Sequence, residues 1–191
     1  MDNPFKNAKV GNIVQMGSYP QNVIYDQPIE WQVIEWQVLA KENNKMLIIA
    51  RYGLEERLFG YNFSNSWENS DIRKWLNNYF YNKAFTDQEK KYIKPSNLSD
   101  VGTTDNVFLL SKEEAKIYFV DDEARRCKAT EYSVKNGACK NDEGYGYWWL
   151  RSPYPNCSNI VFNVSNVGDV DDCDDVSIGD DLVRLALYIN L

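Results

Sequence analysis

Tyr147-Trp148-Trp149-Leu150-Arg151-Ser152-Pro153 opens, and Val183-Arg184-Leu185-Ala186-Leu187-Tyr188-Ile189-Asn190-Leu191 closes, the stretch on which the reading of this chain turns. Both flanks are apolar and strand-like. Between them, Tyr154 to Leu182 is built of Asp, Asn, Ser, Val, Cys, Ile and a few aromatics, with no Lys, Glu, Gln, Met or Trp. Those five types fill about a quarter of the other positions, so their joint omission by chance has a probability of roughly a few in ten thousand. Ordinary loop composition favours Asp, Asn and Ser. It does not remove Glu and Lys while keeping Val, Ile, Phe, Tyr and Cys. The five missing types are the ones that a codon ending in a pyrimidine cannot encode. The tract reads as a segment of unusual genetic origin on a conventional scaffold.

The scaffold is sized for one domain, residues 1–191, with enough apolar (43%) and aromatic (14%) content for a real core. A net charge of −7 argues against a nucleic-acid partner, whose phosphates would be repelled. The absence of His removes Ser-His-Asp and Cys-His catalysis and His-ligated metals together. Cys127, Cys139, Cys157 and Cys173 lack CxxC spacing, so neither a zinc site nor a redox motif is suggested, and a Cys127–Cys139 disulfide cannot be argued from spacing alone. No apolar run approaches a membrane span. Met1 to Lys9 is polar and reads as no signal peptide, which points to folding in the cytoplasm, with carriage on a phage particle or a cell surface left open.

Periodicity sketches the rest. Val10–Met16 alternates like a strand, turned by Gly17-Ser18-Tyr19-Pro20. Ile29–Leu39 repeats Ile-Glu-Trp-Gln-Val and reads as one long strand, followed by a hairpin turn at Lys41–Lys45 and a buried strand at Met46–Ala50. Tyr52–Trp67 is irregular. Ser70 caps a helix over Asp71–Phe80 whose apolar face is Ile72, Trp75, Leu76 and Tyr79. Capping boxes at Thr86–Glu89 and Ser111–Glu114 open helices reaching Ile93 and Phe119. Val107–Leu110 reads as a strand, and Thr130–Lys135 as a weak helix inside the polar stretch Asp121–Asp142. The expectation is an α+β domain of short strands with two or three helices and its N- and C-terminal strands paired.

Several blocks together resemble one bacterial family: Gly17-Ser18-Tyr19-Pro20-Gln21, Ile34-Glu35-Trp36-Gln37-Val38-Leu39, Trp67-Glu68-Asn69-Ser70-Asp71-Ile72-Arg73-Lys74-Trp75-Leu76-Asn77, Ala84-Phe85-Thr86 and Trp148-Trp149-Leu150-Arg151-Ser152-Pro153. They are similar to a domain of unknown function with a C-type-lectin-like fold related to formylglycine-generating enzymes. Members of that family serve as variable proteins of diversity-generating retroelements. The family's C-terminus usually reads Gly-Val-Arg-Pro-Ala-Leu; here Leu182-Val183-Arg184-Leu185-Ala186-Leu187 replaces the Gly and the Pro and keeps the Arg. The resemblance implies adenine-directed mutagenesis of the tract, which would leave pyrimidine-ending codons. The missing residue types agree with that rule.

The resemblance then implies a variable ligand-binding segment at about 154–182, held between rigid strands so that side chains change without moving the backbone. Its expected contact residues are Tyr154, Asn156, Cys157, Asn159, Phe162, Ser165, Asp171, Asp172, Cys173, Asp174, Ser177, Ile178, Asp180 and Asp181, with Val161, Val170 and Val176 assigned to short strands that anchor the segment. Asp172 and Phe162 are expected to be replaceable at surface cost, and Trp75 and Trp149 to be core. The expected partner is a protein or glycan, with no cofactor and no catalytic residue. Two alternatives stand beside this reading. Alternating Asp residues are hard oxygen ligands suited to a calcium-dependent lectin-like carbohydrate binder, though no EF-hand pattern is present. A formylglycine-generating-type oxidase would need a metal-binding cysteine pair, for which Cys157 and Cys173 are the candidates.

Overall fold

In the computed structural model, which describes residues 3–24 and 29–191, the alternating N-terminal segments form a continuous antiparallel ladder. Met1 and Asp2, the start of the polar Met1–Lys9 stretch, lie outside the described residues. β1 (Ile13–Pro20) pairs with β2 (Trp31–Glu42), and β2 turns at Asn43-Asn44 into β3 (Lys45–Ala50). Asn43 sits at φ 47, the left-handed conformation that a two-residue hairpin needs and Asn tolerates. Gly17-Ser18-Tyr19-Pro20 is not a turn. It continues β1 through a bulge between Gln15 and Ser18, with Gly17 at φ 70 absorbing the extra residue.

β4 (Tyr52–Gly53) and β5 (Glu55–Glu56) are short ladders inside the irregular segment. Ser70 Oγ accepts from the Arg73 N–H at 3.2 Å and starts α1 (Asp71–Lys74), which passes through a π-helical turn, Trp75–Phe80, into α2 (Tyr81–Ala84). That turn changes which face is buried. Ile72, Leu76 and Phe80 are fully buried, whereas Tyr79 is 49% exposed and Trp75 only half-buried. The i→i+5 bonding of a π turn widens the repeat, so a strict α-helical spacing misassigns the residues beyond it. α3 (Asp87–Lys90) begins at the Thr86–Glu89 capping box but stops before Ile93, which opens β6 (Ile93–Lys94).

β7 (Ser96–Leu98) and β8 (Thr103–Asp105) make a small hairpin. Val107–Leu110 is buried and extended but joins a sheet only through a single bridge from Phe108 to Ala186. The Ser111–Glu114 box opens α4 (Lys112–Tyr118); α5 (Asp122–Arg125), β9 (Cys127–Ala129) and α6 (Glu131–Lys135) follow. The last third holds β10 (Tyr145–Gly146), β11 (Trp148–Pro153), β12 (Ile160–Val164), β13 (Cys173–Asp175), β14 (Leu182–Val183) and β15 (Ala186–Asn190). The fold is α+β. The two or three helices expected become six short α-helical segments and a π turn among the described residues.

Two five-stranded sheets carry the core. One runs β1-β2-β3-β15-β6 and is antiparallel throughout; the other runs β13-β12-β11-β14-β5, with β11–β14 its parallel pair. The terminal strand therefore does not pair with the first. β15 inserts between β3 and β6, because β1, β2 and β3 pair as sequential neighbours and leave the free edge of β3 for the tail. The chain ends still meet: Asn3 Nδ2 donates to the Asn190 carbonyl at 2.7 Å.

The tail that read as one strand is two strands in different sheets. The switch occurs at Arg184, whose side chain is fully buried; Nε donates to the Ala50 carbonyl at 3.1 Å and Nη1 to the Arg125 carbonyl at 2.8 Å. Its guanidinium lies 5.2 Å from the Phe119 ring and 5.1 Å from the Trp148 ring. These contacts hold the crossing between the two sheets.

Trp148 and Trp149 are fully buried, and their indole N–H groups donate to the carbonyls of Arg125 (3.1 Å) and Arg57 (2.9 Å). Arg151 follows them as a strut. Its Nε and Nη2 reach both oxygens of Asp100 at 2.9 and 3.0 Å, while Nη1 donates to Glu114 at 2.6 Å and to the Leu109 carbonyl at 2.7 Å. One side chain thus ties β11 to α4 and to the β7–β8 hairpin. Asp105 does the same for the Trp67–Asn77 block, accepting from Trp67 Nε1 at 3.0 Å and Arg73 Nε at 2.8 Å.

Candidate binding face

The tract leaves β11 as the tip of a hairpin. The Tyr154 N–H donates to the Ile160 carbonyl at 2.9 Å, and the loop between them stands in solvent with Asn156 at φ 62. After β12 the chain turns at Ser165–Gly168. Gly168 is at φ 93, and a Cβ there would lie 1.8 Å from the Asp122 carbonyl oxygen, so the turn is pressed directly onto α5. Arg125 Nε donates to the Gly168 carbonyl at 2.9 Å and pins it. The chain returns as β13 and reaches β14 through an exposed loop at residues 177–179. Val161, Val170 and Val176 are buried beneath, as anchors, although only Val161 lies within a strand.

Tyr154, Asn156, Cys157, Asp171, Ser177 and Ile178 are exposed, and Asn159, Asp172, Cys173, Asp174 and Asp180 are half-buried. Three expected contact residues are not on the surface. Ser165 is 3% exposed because its Oγ accepts from the Asp169 N–H at 3.1 Å and closes the turn. Asp181 is 1% exposed, at the entry to β14, and accepts from Asn163 Nδ2 at 2.9 Å. Phe162 is 8% exposed, covered by the Tyr154 ring at 5.0 Å and by Lys112 Nζ at 3.5 Å from its ring centroid. Phe162→Ala is therefore expected to cost about 2–3 kcal/mol in chemical denaturation, against within about 0.5 kcal/mol for Asp172→Ala. Equal costs for the two would show that Phe162 does not anchor β12.

The carboxylates fall into separate environments. Asp171 ion-pairs with Lys112 at 2.7 Å and Lys116 at 3.1 Å, and these hydrogen bonds hold its carboxyl below the usual range. Asp175 accepts from Ser177 Oγ at 2.6 Å and N at 2.9 Å and from Asn159 Nδ2 at 2.5 Å, which also lowers it. Asp174 is shifted the other way, by burial first and then by Asp180, Asp172 and Asp175. Burial pushes Asp181 up to about 8, with Asp174, Asp180 and Asp172 adding repulsion that the Asn163 hydrogen bond only partly offsets. The same acids, after burial, raise the Tyr147 phenol. Among the described residues no group of three or more Cys, Asp or Glu side chains is arranged to hold a metal ion. All four cysteines are free thiols. No described helix is long and apolar enough to cross a membrane.

The sequence profile of a domain of unknown function, DUF6273, matches residues 43–191, which takes in the tract, both its flanks and every element from β3 onward. The chain belongs to the DUF6273 family. No curated protein and no solved structure matches it.

In this DUF6273 protein the candidate face includes residues outside the tract. Gly60 N–H donates to the Val176 carbonyl at 3.0 Å, Asn65 N–H to the Ser158 carbonyl at 2.7 Å, and Asn65 Nδ2 to the carbonyls of Cys157 (2.5 Å) and Ile160 (3.0 Å). This lays the 60–65 loop along the tract and leaves Tyr61 71% and Phe63 65% exposed beside it. Nothing periodic marks those two aromatics in the sequence. Their density with Asn and Gly in a segment lacking any helical or strand pattern is the one available signal. Lys112 and Lys116 were likewise invisible as neighbours, since only the packing of α4 on β11 and β12 brings them to Asp171 and Phe162.

Proposed function

We propose that this is a non-enzymatic ligand-binding protein with a C-type-lectin-like fold, whose Tyr154–Leu182 segment is an interchangeable recognition face diversified by adenine-directed mutagenesis. One observation carries the reading: the segment that lacks all five residue types unavailable to pyrimidine-ending codons is also the segment whose flanks, Trp148–Arg151 and Leu182–Leu187, and whose Val161, Val170 and Val176 are buried while its loops stand in solvent. Backbone hydrogen bonds at Tyr154, Asn163, Ser165 and Val176 hold its course without help from the exposed side chains. Substitution at Tyr154, Asn156, Asp171, Ser177 or Ile178 can then alter chemistry and leave the frame standing. Among the described residues Asp172, Asp174 and Asp180 have no ion-pair partner, which favours a binding partner with positive charge.

The oxidase alternative gains no support from the cysteines. Burial, then Asp172, Asp174 and Cys157, push the Cys173 thiol up, which works against a thiolate ligand at neutral pH.

A library with pyrimidine-ending codons at those five exposed positions tests the reading. Most members are expected to keep a cooperative thermal transition near that of the parent, while binding to any one protein or glycan target varies over orders of magnitude. The DNA beside the gene should hold a near-copy of the codons for Trp148–Leu191 with adenines at the varied positions, next to a reverse transcriptase. Widespread unfolding in the library would sink the proposal.

A further inference from the structure

A second cleft borders the end of the tract, where Glu56 pairs with Leu182, but is lined by no residue of it. Tyr19, 3% exposed, is its floor; Trp75 and Tyr132 stand edge-on to that ring at 6.3 and 6.0 Å, each with an interplanar angle of 86°. Tyr79 stacks on Trp75 at 6.3 Å and 22° and faces solvent. Glu55 and Glu56 close the polar end of a cavity of about 560 Å³.

Glu55 is 5% exposed, and its oxygens only accept: from Tyr19 Oη at 2.6 Å, Asn136 Nδ2 at 2.8 Å and the Glu56 N–H at 3.3 Å. Among the described residues neither Glu55 nor Glu56 has an ion-pair partner. A carboxylate so buried without a counter-charge is costly. Burial and then the like charge of Glu55 raise Glu56; Arg57 offsets part of this and Asp180 adds to it. The cation nearest the rings is Arg57, whose guanidinium lies 4.8 Å from the Trp75 ring centroid.

We propose that this cleft binds a quaternary ammonium group, held against the Trp75, Tyr79 and Tyr132 rings and charge-matched by Glu55 and Glu56. Ring faces present negative quadrupole density, and an alkylated ammonium sheds its hydration cheaply enough to use it. Two carboxylates against one guanidinium leave the site net negative. Arg57 already exploits the Trp75 face, so the protein's own cation competes with the ligand for that wall. The proposal is independent of the recognition-face reading, because the two sites share no residue.

Calorimetric titration with choline, set against its uncharged isostere 3,3-dimethylbutan-1-ol, tests it. Choline is expected to bind saturably and at least about tenfold more tightly than the isostere. Arg57→Gln should tighten binding about threefold or more by vacating the Trp75 face, whereas Glu56→Gln should weaken it. Tyr79→Ala, a substitution of an exposed ring, should weaken it about tenfold, which keeps the test decisive even where Trp75→Ala fails to fold. Sedimentation with phosphatidylcholine vesicles distinguishes a lipid-borne head group from a free one, and either source supports the site. Equal affinity for the isostere, indifference to Tyr79→Ala, or no saturable heat in both the parent and Arg57→Gln would overturn the proposal.

Discussion

Arg151→Ala is expected to lower the unfolding free energy by about 3 kcal/mol or more, read as a fall in the urea midpoint at unchanged slope. The side chain is 3% exposed and makes four hydrogen bonds, two of them a fork on Asp100. Truncation leaves the Leu109 carbonyl without that donor and strips the counter-charge from Asp100 and Glu114 together. Asp100 is 40% and Glu114 23% exposed, so both rehydrate in part, which places the cost at the lower end for a broken buried pair. Glu114 also accepts from the Ser111 N–H at 2.9 Å in its capping box, so the loss extends into the start of α4. Arg151→Lys should recover only part of the stability, because an ammonium cannot fork onto a carboxylate. A cost below about 1 kcal/mol for Arg151→Ala would show that the strut is dispensable.

Raising the pH should destabilise this protein through Asp181, and Asp181→Asn should abolish that component. The carboxyl titrates at about 8 in the folded state, chiefly because it is buried. In the unfolded chain an Asp titrates near its ordinary value of about 3.9. The folded state therefore binds more protons across that window, and the linkage slope is negative. The stabilising contribution is fully present below about pH 4 and is lost as pH rises towards and through about 8, with a total on the order of 5 kcal/mol. Asp181→Asn keeps a neutral acceptor for Asn163 Nδ2 and has no proton to lose. Denaturation midpoints of the two proteins should converge near pH 4 and separate in favour of the variant by pH 9. Parallel curves over that range would mean that Asp181 reaches water and ionises freely. Because the neighbouring Asp172, Asp174 and Asp180 contribute to the shift, a bound cation on this face should lower it.

The legible parts of the fold are those whose cause is local. The Thr86–Glu89 and Ser111–Glu114 capping boxes form with both reciprocal bonds, Ser70 caps the helix expected of it, the weak helix at Thr130–Lys135 forms as α6, and the alternation from Ile29 makes the long strand β2. Gly17–Pro20 and Tyr79 were misread for a shared reason. A bulge and a π turn each insert one residue's worth of register, and neither has a sequence signature as strong as the periodicity that it interrupts.

The tract shows the same division. Its composition and its boundaries at the two apolar flanks follow from the order of residues alone, because residue content and binary patterning are properties of a linear string. Which of its side chains face water does not follow. Asp181 is buried because it abuts Leu182 where that residue pairs with Trp148, and Phe162 because Lys112 and Tyr154 close over it from other parts of the chain. The Arg184 crossing between sheets and the cleft built from Tyr19, Glu55, Trp75 and Tyr132 were likewise decided only by tertiary structure. Each depends on residues far apart in sequence arriving side by side, and burial and charge are set by those neighbours rather than by the residue itself.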